Sequence, residues 1–180
     1  NGITTPVLIL GYTPPSALDE VVEYSFRQTI FDQKTAEALS DAAVKKGRKA
    51  FVHIKVDTGM SRTGFFTDEE TVKTVARICK LPGLTVEGIY THLAAADSAD
   101  ETFTRLQLQR FSGFLQALQN SGIEIPIRHA ANSAGIAFYP EAHYDLVRAG
   151  INLYGLRSSD ERESTLNLIP AMRLKSRVVM

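Results

Sequence analysis

Six times along the chain a short β-rich run gives way to a turn, and in most cases the turn leads into an amphipathic helix. Strands joined through helices lie parallel, because a tight hairpin can connect only antiparallel neighbours. The runs are VLILG (7–11), SFRQTIFD (25–32), FVHIKVD (51–57), VEGIYTH (86–92), IRHAAN (127–132) and DLVRAGINLYG (145–155). This pattern predicts an α/β protein. Two architectures satisfy it: an open doubly wound sheet, or a closed (β/α)8 barrel of the TIM type. A closed barrel needs eight units and typically ~250 residues, whereas this chain has 180. The pattern alone therefore favours the open sheet, which needs no further strands.

Local signals place the helices. Gly47 follows KTAEALSDAAVKK as a C-terminal stop. Thr67 with Glu70, and Ser98 with Glu101, have capping-box spacing ahead of two further helices. In the second of these, Phe103, Leu106, Phe111, Phe114, Leu115 and Leu118 approximate a 3.6-residue stripe. Past Gly155 the chain turns polar and then alternates in AMRLKSRVVM. The expected division is a barrel over 1–157, a polar connection over 158–168, and over 169–180 the first strand of a C-terminal β domain.

Charge narrows the function. Lys plus Arg (20) equals Asp plus Glu (20), without single-sign blocks, so no electrostatic footprint for nucleic acid or an anionic membrane exists. A small-molecule ligand is the better expectation. No apolar run approaches the ~18 residues that span a bilayer, and the start of the chain lacks the features of a secretory signal. A cytoplasmic protein is expected. The single cysteine, Cys79, excludes an intramolecular disulfide and reads as a buried structural thiol.

In βα architectures chemistry gathers where strands end. Strand 51–57 alternates Val52, Ile54 and Val56 with His53, Lys55 and Asp57, so one face suits packing under helices and the other is too polar for ordinary core. Lys55 and Asp57 could form a structural ion pair or serve a site. Arg62 sits between Gly59 and Gly64 in a loop that must turn tightly, and its planar fork suits an anionic or phenolic oxygen. His92 ends the fourth run. Asn132, Ser133 and Gly135 open a short helix whose hydroxyl and free N–H groups can cradle phosphate. Arg148 lies within an apolar run, where an unpaired charge is costly, so it marks an ion pair or a ligand contact. Gly150, beside Ile151, lets a ligand oxygen approach the backbone.

Taken in order, HIKVDTGMSRTGF, GIYTHLAAAD, HAANSAGI and VRAGINLYGL resemble the alanine racemase family, and the resemblance covers essentially the whole chain. It reverses the preference for an open sheet. The implied fold is an incomplete TIM-type barrel of about six βα units, with two more upstream and a C-terminal β domain beginning at its end. The implied cofactor is pyridoxal 5′-phosphate (PLP). By resemblance Arg148 donates to the pyridine nitrogen, His92 supports Arg148, and Ser133 with backbone N–H groups near Gly150 and Ile151 binds the phosphate. Arg62 matches an arginine beside the phenolic oxygen, and Lys55 a lysine that is carbamylated in some members. Ser61 stands where the family commonly has glycine.

The lysine that binds the cofactor covalently and the tyrosine that acts as the opposite base are expected outside the chain, so this piece alone is expected to be inactive. The implied activity is interconversion of L- and D-alanine by a homodimer, supplying peptidoglycan precursors. Alternatives are a serine/alanine racemase domain of a membrane-tethered protein, and a non-catalytic PLP-binding barrel.

Overall fold

The computed structural model describes residues 2–164 and 166–178. Five strands, β1 (Leu8–Ile9), β2 (Arg27–Ile30), β3 (Ala50–Lys55), β4 (Leu84–Tyr90) and β5 (Ile127–His129), pair in sequence order. Every pairing is parallel. The crossovers carry α1 (Leu18–Glu23), α2 (Gln33–Lys45), α3 (Glu69–Cys79) and α4 (Thr102–Asn120), and α5 (Ser133–Phe138) follows β5. The result is a parallel half-barrel with helices on its outer face.

Alternation along β3 separates two buried faces. Val52, Ile54 and Val56 join Ile30, Ile89, Leu39, Val75, Ile78 and Phe111 in the core beneath the helices. Each fully buried aliphatic or aromatic side chain there contributes about 1.5–3 kcal/mol. His53 and Lys55 point to the inner face, where Tyr90 and His129 also lie, and all four are buried.

The sixth expected strand is absent. Asp145 and Arg148 donate their N–H groups to Arg128 and Ala131 beside the end of β5, but the chain then coils into a 3-10 turn, Ile151–Tyr154, closed by left-handed Gly155. Asn152 explains the departure, because its side chain donates to the Ser133 carbonyl and bends the backbone back over α5. Residues 169–178 form no strand either, and Val179 and Met180 lie outside the described residues.

The caps sit later than their spacing suggested. Asp68, not Thr67, caps α3 by accepting from the Thr71 N–H. Ser98 does not cap α4. Asp100 instead accepts from the Thr102 N–H at 2.9 Å. The apolar stripe of α4 is buried from Phe111 onward, whereas Phe103 and Leu106 are exposed and Thr104 and Gln107 take the inward positions of the first turns. Cys79 ends α3 on its exposed side, because Val75 and Ile78 occupy the core-facing positions. It is not the buried thiol expected.

Candidate functional site

The segments that follow β3, β4 and β5 are tied together at the carboxyl edge of the sheet. Gln107 of α4 accepts from the Ala94 N–H at 2.8 Å and donates to the Thr58 hydroxyl and the His92 carbonyl. Asn132 caps α5 through the Gly135 N–H and donates to the Leu93 carbonyl. These two amides, Gln107 buried and Asn132 half-buried, tie the loops to one another. Between them opens a cavity of about 450 Å³, lined by Lys55, Arg62, Tyr90, His92, Ser133, Arg148, Gly150 and Ile151 among others. The residues given roles by the family resemblance all line this one space, whereas Asp57 and Gly135 do not. Its volume is that of a small-molecule pocket.

Arg148 is held by acceptors only. Its NH1 lies 2.8 Å from His129 Nδ1, and its NH2 donates to the carbonyls of Thr91 at 2.8 Å and Ala130 at 3.0 Å. Burial pulls its pKa down to about 10, with partial compensation from Tyr90, and leaves it charged at neutral pH. The histidine bonded to Arg148 is His129, and among the described residues no hydrogen bond joins His92 to Arg148. His92 lines the cavity wall. Burial, then the charges of Arg148, Arg62 and Lys55, push its pKa down to about 4, so it is a neutral ring there. His129 is pulled to about 2 by burial and by Arg148, and is neutral too.

On the same cavity's lining, the Ser133 hydroxyl accepts from the Gly150 N–H at 2.9 Å and from the Asn152 N–H at 3.4 Å. With both oxygen lone pairs engaged, its proton is free to donate into the cavity. The Gly150 N–H is thus committed to the protein, while that of Ile151 opens the 3-10 turn, where first-turn N–H groups have no acceptor within the helix. Ser158 Oγ, also on the cavity wall, is buried without any partner among the described residues. A hydroxyl in that state calls for a ligand or water. Together these donors fit an anionic phosphate ester.

The loop after β3 supplies the other cations. Asp57 accepts from the N–H groups of Gly59 and Ser61 and so folds the turn that carries Arg62. Gly59 and Gly64 have φ of 141° and 137°, as a tight turn between them requires. Ser61 has a φ of 55°, also in the left-handed region. Lys55 Nζ donates to the Thr63 carbonyl at 2.6 Å. Burial brings its pKa down to about 8 against the opposing pull of Asp57, with Arg62 and Arg148 adding to the fall. Lys55 and Asp57 form no close ion pair among the described contacts, which removes the bland reading of that couple.

Sequence reasoning missed His53, His129 and Gln107. His129 was visible inside HAANSAGI, and His53 shares a face with Lys55 by strand alternation. Gln107 left no signal, since a glutamine in an amphipathic helix reads as surface.

Known proteins resemble this chain in sequence and in fold. The alanine racemase, N-terminal domain family model matches residues 1–158. The chain is 49% identical to an alanine racemase of Desulfovibrio desulfuricans over 99% of its own length and 48% of the relative's. It is 44% identical to one from Clostridium perfringens over 98% of its length and 46% of the relative's. It thus spans about half the length of the curated relatives it matches. Among solved structures, the alanine racemase of Clostridium difficile 630 superposes with a TM-score of 0.92 at 38% identity, covering 94% of this chain and 45% of that one. A complex of the same protein with cycloserine gives 0.91 at 37% identity, covering 94% and 47%. Together with the half-barrel and the motifs that converge on one cavity, these matches place the chain in the alanine racemase N-terminal domain family.

Proposed function

We propose that the complete protein is a PLP-dependent alanine racemase and that this chain builds its cofactor cradle. The observation that carries the reading is the pairing, across one cavity, of a charged guanidinium held wholly by acceptors with a hydroxyl whose lone pairs are both engaged. The first suits an aromatic ring nitrogen. The second, with the Ile151 N–H, suits a phosphate.

When bound, PLP would make the α-proton of an attached amino acid acidic by withdrawing electrons into its ring. Arg148 would limit that withdrawal. A guanidinium gives up its proton only far above neutral pH, so Arg148 would donate a hydrogen bond to the ring nitrogen and leave it unprotonated. Weaker withdrawal would restrain side reactions while leaving proton exchange possible. His92, uncharged, lines the wall without competing for that bond. Ser133 and Ile151 would anchor the phosphate end and fix the ring's depth. Arg62, which also lines the cavity, would neutralise the phenolic oxygen.

Lys55, with its lowered pKa, carries a free-amine fraction at neutral pH that can add to carbon dioxide, releasing a proton and forming a carbamate. That anion would orient Arg62. The groups that remove and replace the α-proton, a lysine and a tyrosine, would come from the rest of the protein and from a second subunit of a homodimer. The division into a barrel to 157 and a β domain from 169 belongs to the same reading. So do a cytoplasmic location and D-alanine supply for peptidoglycan. Among the described residues no helix is long and apolar enough to cross a membrane.

The test is racemisation of L-alanine by the full-length, PLP-loaded protein, followed by loss of optical activity and compared with L-serine. Turnover of alanine well above serine is expected. Tight PLP binding without turnover of either would reduce the protein to a cofactor-binding barrel.

A further inference from the structure

Behind Arg148 the hydrogen bonds continue through the interior of the half-barrel. An arginine can only donate, so the contact of its NH1 with His129 Nδ1 obliges that nitrogen to present a lone pair and places the His129 proton on Nε2. His129 Nε2 lies 2.9 Å from His53 Nδ1, which must then accept. The His53 proton is left on Nε2, facing Glu87 Oε2 at 3.6 Å. The same carboxylate oxygen receives Arg27 Nε at 3.1 Å. One assignment of the two ring protons satisfies every contact. Both imidazoles are buried, at 3% and 0% exposure, so the order is set by neighbours instead of water.

The fold makes room for this chain of groups at some cost. Between Val52↔Val86 and His53↔Gly88 the register of β3 and β4 slips by one, leaving Glu87 as an extra residue on β4. Such a bulge re-aims a side chain that regular pleating would send elsewhere. Directly after it, a Cβ on residue 88 would stand 2.3 Å from His53 Nδ1, so only glycine leaves space for the ring. Filling the interior needs no such devices. Apolar side chains of similar volume would do so without burying charge.

We propose that His53 and Glu87 are positioning residues for Arg148, holding His129 in the tautomer whose lone pair fixes the guanidinium toward the cofactor ring nitrogen. Glu87 keeps the proton on His53 Nε2, His53 keeps it on His129 Nε2, and His129 is thereby obliged to accept from Arg148. With the acceptor at His53 removed, the His129 proton can shift to Nδ1, where it opposes an arginine donor. The inference rests on the reading of Arg148 as the partner of the PLP ring nitrogen.

The experiment uses the full-length protein stripped of cofactor, titrated with PLP and with its 1-deaza analogue, in which a C–H replaces the ring nitrogen. The ratio of the two dissociation constants isolates the Arg148 bond from phosphate and covalent anchoring. Arg148→Leu should abolish the preference for PLP. His53→Leu should reduce it about five- to tenfold, the scale of one buried hydrogen bond. His53→Asn, whose amide oxygen sits near the position of Nδ1, should restore it to within about twofold, and Glu87→Gln should reduce it about threefold. Loss of the preference in Arg148→Leu alone, with His53→Leu and Glu87→Gln unchanged, overturns the positioning role. Equal weakening of both cofactors in those two variants overturns it as well, since that is a general packing effect. A preference that survives Arg148→Leu removes the ring-nitrogen reading itself, and the positioning role with it. Should His53→Leu fail to fold, Glu87→Gln decides by the same ratio.

Discussion

The two faces of β3 are equally buried and chemically opposite. Val52, Ile54 and Val56 are wholly inaccessible beneath the helices, while His53 and Lys55, interleaved with them, are 3% and 2% exposed on the inner face. The outer face is held by volume, in a cluster with Val75, Ile78 and Phe111 that tolerates no directionality. The inner face is held by direction, with each polar atom committed to a named partner. Stability is thus gathered on one side of a single strand, and ligand chemistry on the other.

That contrast can be broken from either side. The largest effect should come from the outer face: Ile54→Ala should lose about 2–5 kcal/mol in urea unfolding of the full-length protein, while the folded variant keeps its PLP affinity. Loss of affinity without loss of stability would erase the distinction.

Acid should attack the inner face. His129 is lowered from an ordinary value of 6.5 to about 2, so below pH 6.5 the unfolded chain binds a proton that the folded chain refuses. Its contribution is full above pH 6.5 and falls as pH drops toward 2, by about 1.4 kcal/mol per pH unit. Unfolding of the apo protein between pH 7 and 4.5 should show this slope added to that of His92, which is lowered in the same direction, and His129→Gln should reduce the total by about 1.4 kcal/mol per pH unit.

A third effect reaches both the ligand and the segment that follows β5. Ser133→Ala should weaken PLP binding about tenfold or more, as loss of a charge-assisted hydrogen bond does, and should also lower the unfolding midpoint in the absence of cofactor, because the Gly150 N–H loses its acceptor. The smallest concerns the Arg62 loop. Ser61→Gly relieves a left-handed serine and should gain about 0.5–1 kcal/mol or less, measurable as a small rise in Tm.

The contrast between faces was legible in the alternation of FVHIKVD, because a period of two needs only local geometry. The helices were legible for the same reason, although their caps moved by a residue or more where an aspartate offered a better acceptor than the hydroxyl beside it, as Asp68 does beside Thr67. The apolar run 145–155 misled, since nothing local reveals that Asn152 and Gly150 are bound to Ser133 instead of to a neighbouring strand. Arg62, Ser133 and Arg148, which line one cavity, stood out because a charge or a small-residue cluster near a strand end is conspicuous. The bond from Arg148 to His129 has a different origin. His129 ends β5 and His92 lies just beyond β4, and only the tertiary arrangement decides which ring is bonded to the guanidinium. The slip that makes Glu87 an extra residue on β4 is likewise a property of pairing, invisible in either strand alone.

The most direct test of the cradle is a crystal structure of the full-length protein with PLP bound. The pyridine nitrogen is expected within hydrogen-bonding distance of the Arg148 guanidinium, and the phosphate on Ser133 Oγ and the Ile151 N–H. A phosphate seated on Arg62, with Arg148 bonded only to His129, Thr91 and Ala130, would contradict it.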